Sequence, residues 1–260
     1  MTDKKQVTLV TQIIPSDREV TNLVILAGRI LLECGAEATR VEDTMKRIAQ
    51  SYGYDEAQGY ALNIFINFSL SPDHDTRMVK IKKNDTNLRN VYLVNHISRQ
   101  IAQHAIDFDR AYNILKEIEQ KQSRYALGHK MLFAGMISLG FSYLQGAFWI
   151  DVFPAVLAGA LGYFVTEWMK NKQLTLFIPD FLGAITIGLI AIPLNHWLGS
   201  PNIGATITAA VMPIVPGVLI TTAIQDLFGR HMLMFTAKFL EAIVTSFAIG
   251  AGVTTAFLIL

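Results

Sequence analysis

The chain has 260 residues, 52% hydrophobic and 17% charged, with a net charge of +1 and a positive mean hydropathy. That is too apolar for an ordinary soluble domain and too charged for a protein wholly in lipid, so the two populations must be segregated along the chain. Near-neutral charge with no basic stripe interleaved with aromatics gives no reason to expect nucleic acid, and the single cysteine, Cys34, excludes an intrachain disulfide.

Cys34 reads as a small buried hydrophobe on a helix. The first thirty residues carry Asp3, Lys4, Lys5, Asp17, Arg18 and Glu19 and no apolar run of the signal-peptide kind, so the N-terminal half is expected to stay in the cytosol. Ser16-Asp-Arg-Glu19 is a capping box after Pro15, opening a helix that Gly35 stops. Thr39-Arg-Val-Glu42 reads as a second capping box for a helix running through Met45 and Ile48 to Gly53.

Tyr60, Leu62, Ile64, Ile66, Phe68 and Leu70 alternate with polar residues, which predicts one strand with Phe65 out of phase. Ser71-Pro-Asp-His-Asp75 makes a turn, and Arg77 to Lys83 returns as a second strand. Helices follow from Thr86 to Ile106 and from Phe108 to Gln122. A two-stranded ribbon is marginal alone, so it packs on the helices or pairs with another copy, which leaves a homo-oligomer open. His74 in the turn reads as solvated, and His96 and His104 as surface histidines about two turns apart on one helix. The acidic group Glu33, Glu37, Glu42 and Asp43 is explained by capping and the helix dipole. No nucleotide-binding, zinc-protease or nucleophile-elbow motif is present, so the chain is expected to be neither an enzyme nor a holder of cofactor or metal.

From Met131 to Leu260 the only charged residues are Asp151, Glu167, Lys170, Lys172, Asp180, Asp226, Arg230, Lys238 and Glu241. With about 20 residues needed to cross the hydrocarbon, this half divides into five spans: Lys130 to Trp149, Val152 to Trp168, Leu174 to Trp197, Ile203 to Ile224 and Phe239 to Leu260. Trp149, Trp168 and Trp197 fall at span ends, as interfacial indoles do. Lys121, Arg124, Lys130, Lys170, Lys172, Arg230 and Lys238 all lie in alternate loops, which predicts a cytoplasmic N-terminus and an outer C-terminus. The expected architecture is a cytosolic α+β domain of helices and a hairpin over residues 1–129, then an all-α bundle of about five transmembrane helices over 130–260.

Asp180 reads either as an interfacial carboxylate at a helix start or as a functional group, and Asp151 as a solvated loop residue. Met212-Pro-Ile-Val-Pro-Gly217 places Pro213, Pro216 and Gly217 in mid-span, which predicts a broken helix. The break either lines a cavity, continued by Thr221, Thr222, Gln225 and Asp226, or serves packing alone. Lys238 and Glu241, three residues apart, are placed to pair across one turn as a gate or an anchor.

Two stretches resemble a known family. Gly35-Ala36-Glu37, Arg40-Val41-Glu42, Met45, Ile48, Ala49 and Gly53 resemble the opening motif of the threonine/serine exporter family. Val215-Pro216-Gly217, Ala223, Asp226-Leu227, Lys238 and Glu241-Ala242 resemble its membrane motif, with Thr222 where the family often has Asn and Lys238 where it often has Arg. The resemblance implies a secondary exporter of small polar metabolites, threonine and serine or a dicarboxylate such as succinate, driven by the proton gradient. Fused members carry about ten spans, so a chain of about five implies a second small membrane subunit, and the uncapped Ala256–Leu260 end fits a missing half. A scaffold or sensor with a ligand-binding cytosolic domain is the alternative.

Overall fold

A computed structural model describes residues 15–81, 86–121, 125–170, 172 and 177–260, and the chain divides into two compact units, Met1–Gln122 and Ser123–Leu260. The expected strand end at Lys83, helix end at Gln122 and span start at Leu174 lie outside the described residues.

The first unit opens with α1 (Asp17–Glu33), where the Glu19 carboxylate accepts from both the backbone N–H (2.8 Å) and the hydroxyl (2.7 Å) of Ser16. Gly35, at φ 82°, ends it: the Gly35 N–H bonds Leu32 and the Ala36 N–H bonds Leu31. Helix α2 (Ala38–Ser51) starts two residues earlier than a Thr39 cap requires, with Glu37 at the N-cap position. Glu42 is therefore not the second half of a capping box; its Oε1 accepts the Ala61 N–H at 3.0 Å and ties α2 to the sheet.

The expected single strand is two. β1 (Gln58–Leu62) turns back at Asn63 and Ile64 into β2 (Phe65–Ser69), with Leu62 opposite Phe65, and β3 (Arg77–Lys80) pairs with the other edge of β2 to give the antiparallel order β1-β2-β3. The anomaly at Phe65 is where the alternation resets: Ala61, not Tyr60 or Leu62, faces the core with Ile66 and Phe68. Met45 from α2 fills the space left by Gly28 on α1 and Gly59 on β1, where an added Cβ would lie 2.6 Å from its side chain at either site. Helices α3 (Leu88–Ala102) and α4 (Phe108–Gln120) complete the unit. His104 lies beyond the end of α3 at φ 52°, so it shares no helix face with His96, although both are exposed.

His74 is not simply solvated. Its Nε2 lies 2.8 Å from Asp17 Oδ2, its Nδ1 lies 2.6 Å from Ser71 Oγ, and the Tyr54 hydroxyl donates to Asp17 Oδ1 at 2.5 Å. The bonds from Tyr54 and then His74 hold the Asp17 carboxyl below its ordinary range, and the same Asp17 bond pushes the Tyr54 phenol up to about 12. A phenol raised in the folded state adds stability present below its ordinary value of 10.0 and lost as pH rises toward about 12. A lowered carboxyl adds stability present above its ordinary value of 3.8 and lost as pH falls below it. Absorbance titration of wild type minus Tyr54→Phe is expected to show a phenolate forming near 12, moved back toward 10.0 by Asp17→Asn. A Tyr54 that already titrates at its ordinary value in the wild type refutes the bond.

The second unit contains α5 (Leu127–Leu144), α6 (Trp149–Lys170), α7 (Ile178–Trp197), α8 (Ile203–Val211), α9 (Gly217–Phe228) and α10 (Met232–Ile259). Its burial is inverted relative to a soluble fold. Helix α10 buries Ala242, Thr245, Ala248, Gly252 and Ala256 while exposing Leu240, Ile243, Phe247 and Leu258. Small residues inward and large apolar residues outward suit a lipid solvent, where close backbone approach replaces hydrophobic collapse. Gly162 and Gly183 let α6 and α7 meet, and Gly188 and Gly252 let α7 and α10 meet. Of the five expected spans, α6, α7 and α10 are each long and apolar enough to cross a membrane. Helix α5 falls short, with Lys130, Ser138 and Ser142 among its 18 residues, and the fourth is split between α8 and the short apolar α9.

Candidate functional site: a broken helix and a charged end

Prolines at 213 and 216 have no N–H to continue the helical ladder, and the chain from Met212 to Pro216 leaves it. Ile214 N–H bonds Val211, Val215 N–H bonds Met212, and Gly217 N–H bonds Val215 at 2.8 Å. Helix α9 then starts at Gly217 with no side-chain cap. The nine residues of α8 and the twelve of α9 are about 14 and 18 Å long, so the break falls near the middle of the α8–α9 segment. An uncapped N-terminus there presents the positive end of the helix dipole.

The charged residues gather at the end where α6 and α9 finish and α7 and α10 begin. Lys238 Nζ lies 2.7 Å from Asp226 Oδ2, both side chains being almost wholly buried. Lys170 Nζ lies 3.0 Å from Oδ1 of the buried Asp180. The Glu241 carboxylate lies in the field of both Lys170 and Lys238, which joins the two pairs into one group. Lys130 pairs with Glu167 at the same end of the α5–α6 hairpin. The expected Lys238–Glu241 neighbourhood therefore exists, but Lys238 also reaches across the α9–α10 turn to Asp226, a bond the i, i+3 spacing did not reveal.

The sequence-derived residues thus fall into four groups. Asp180, Asp226, Lys238 and Glu241 are brought together, with Lys170 as the member the sequence reading missed. Pro213, Pro216 and Gly217 form the break itself. Thr221 and Gln225 lie on the exposed face of α9, opposite the buried Ala223 and Asp226, and the Thr221 and Thr222 hydroxyls donate to their own helix at Val218 and Leu219. Gly35, Glu37, Arg40 and Glu42 belong to the first unit, where Gly35 turns the chain, Glu37 pairs with Arg40 at 3.0 Å and Glu42 holds β1. That motif is accounted for by the α1–α2–β1 junction.

A helical bundle packed through small residues, apolar on the outside, broken between two prolines and charged at one buried end defines a multi-pass membrane protein of the transport class. Residues 22–260 match the ThrE family, described as "Putative threonine/serine exporter", and the chain belongs to it. It is 24% identical over 244 residues to the Escherichia coli (strain K12) protein named "Probable succinate transporter subunit YjjP", across 92% of this chain and 94% of that one. A Klebsiella aerogenes protein of the same name is 24% identical over 249 residues, across 92% of this chain and 93% of its own. No solved structure matches the chain.

Proposed function

We propose that the chain is one subunit of a proton-coupled secondary exporter of small polar metabolites, threonine and serine or a dicarboxylate such as succinate. The observation that carries this reading is the uncapped start of α9 in mid-bundle: a half-helix N-terminus matches the carboxylate these substrates share. Family membership supports export, and the word "subunit" in the names of two relatives supports a separate membrane partner supplying further spans. Residues 1–129 are the cytosolic domain and 130–260 the transmembrane domain, crossing about five times with the N-terminus inside and the C-terminus outside. The cations at 130, 170, 172, 230 and 238 support that direction. Asp226, Lys238 and Glu241 then lie at the cytoplasmic mouth, on the substrate or proton path.

Counterflow of labelled threonine, serine and succinate into vesicles holding the purified chain, with and without its membrane partner, tests the reading. Flux of at least one substrate is expected with the partner present, reduced in Glu241→Gln without loss of insertion. No flux in any combination sinks the exporter assignment.

A further inference from the structure

Asp151 was expected to be solvated, yet it is fully buried in the first turn of α6. Its two oxygens are used differently. Oδ2 accepts the Phe148 N–H at 2.9 Å and caps the helix, whereas Oδ1 is buried with no hydrogen-bond partner among the described residues. The other carboxylates of this unit sit beside cations: Glu167 with Lys130, Asp180 with Lys170, Asp226 with Lys238, and Glu241 in the field of two lysines. Among the described residues, Asp151 has none within ion-pair distance.

The titratable groups of the neighbouring helices lie elsewhere. The helices packed on α6 are α5, α7 and α8. Helix α8 contains no titratable residue, the charges of α5 and α7, Lys130 and Asp180, lie at their opposite ends, and Tyr143 and His196 at this end are exposed. Because α7 reverses the chain between them, α6 and α8 run parallel, and a Cβ at Gly159 would lie 3.1 Å from the Ala210 carbonyl. Eight residues earlier on each helix, about 12 Å back, Asp151 stands level with Asn202. There Asn195 donates to Ser200 Oγ at 3.0 Å and to Thr206 Oγ1 at 2.8 Å.

We propose that Asp151 Oδ1 is the site that takes up the coupling proton, at the end of the bundle opposite the charged group. The inference rests on the exporter reading. In the cycle Oδ1 gains one proton from water at the outer face, forming an O–H bond and a neutral acid; that bond breaks and the proton leaves to the cytoplasmic water as substrate moves out. No electrons move.

Asparagine retains a side-chain oxygen that can accept the Phe148 N–H, so Asp151→Asn can keep that bond while removing the proton-carrying carboxylate. The full chain with its partner in lipid vesicles is read in two ways. Infrared difference spectra on acidification are expected to show a protonated-carboxyl stretch that shifts in deuterated water and is missing in Asp151→Asn. In the same vesicles, flux of the transported substrate is expected to lose its dependence on the pH gradient in Asp151→Asn and to regain part of it in Asp151→Glu. An Asp151→Asn chain that keeps both the band and the gradient dependence overturns the assignment and leaves the exporter reading standing. If the wild type moves no substrate at all, the exporter reading falls, and the infrared band alone decides whether Asp151 exchanges a proton.

Discussion

Asp226→Asn, made alone, is expected to destabilise the membrane unit by about 3–5 kcal/mol, the usual result of removing one partner of a buried ion pair. The Lys238 side chain is only 6% exposed and its ammonium lies 2.7 Å from the lost carboxylate oxygen, so the remaining charge loses its principal compensation in place. Lys238→Met removes the other member of the pair and carries a similar loss. The double variant Asp226→Asn, Lys238→Met removes both charges, and because paired burial gives little net stability it should recover most of either single loss. Thermal unfolding of the detergent-purified chains checks this: singles clearly below wild type, the double close to it. A double variant as unstable as the sum of the singles would show that the two residues are not one energetic unit. The double variant also separates folding from transport, since on the proposed function it folds and carries no substrate.

The second large effect is steric. A Cβ at Gly252 would sit 2.5 Å from the Phe181 carbonyl oxygen and 2.7 Å from the Ala184 Cβ, and a backbone carbonyl cannot swing aside as a flexible side chain can. Gly252→Ala therefore forces α7 and α10 apart, and a misfit of this kind in a close-packed interface costs about 1–3 kcal/mol or more. Two residues away, a Cβ at Gly250 meets nothing within 4 Å, and Gly250→Ala is expected to be neutral or to stabilise by up to about 1 kcal/mol through helix propensity. Heat resistance of the two variants in the same detergent checks the contrast; equal behaviour would mean that α7 and α10 do not pack through Gly252.

Much of this architecture was written in patterns of length and punctuation. The Ser16–Glu19 box, Gly35 and Gly53 mark the ends of α1 and α2 because capping is local chemistry that needs no tertiary partner. The break at Met212–Pro216 was equally legible, since proline removes a donor wherever it sits. What the patterns hid was non-local. A two-residue turn at Asn63–Ile64 leaves hydrophobic alternation almost intact, so a hairpin imitates one strand and only the slip at Phe65 betrays it. The carboxylate of Glu42 has the spacing of a capping box, yet its partner is a strand N–H nineteen residues away.

In the membrane unit, Asp226 and Lys238 were both candidates, but their bond crosses a turn and depends on how α9 and α10 pack. The burial of Asp151 did have a signal. It falls in helical phase with Ala155, Ala158, Gly162 and Thr166, the small-residue stripe of α6 that faces other helices. A loop assignment obscured that phase by starting the helix three residues late.

Helix α10 is 28 residues long, about 42 Å, against a hydrocarbon core of about 30 Å. Upright, it overhangs by some two turns, the stretch that holds Lys238; tilted, it draws those turns toward the lipid. Hydrophobic mismatch at α10 is therefore expected to show in how far the Asp226–Lys238 pair is hydrated. Water access to that ion pair, compared across membranes of different acyl-chain length, checks this without changing a single residue.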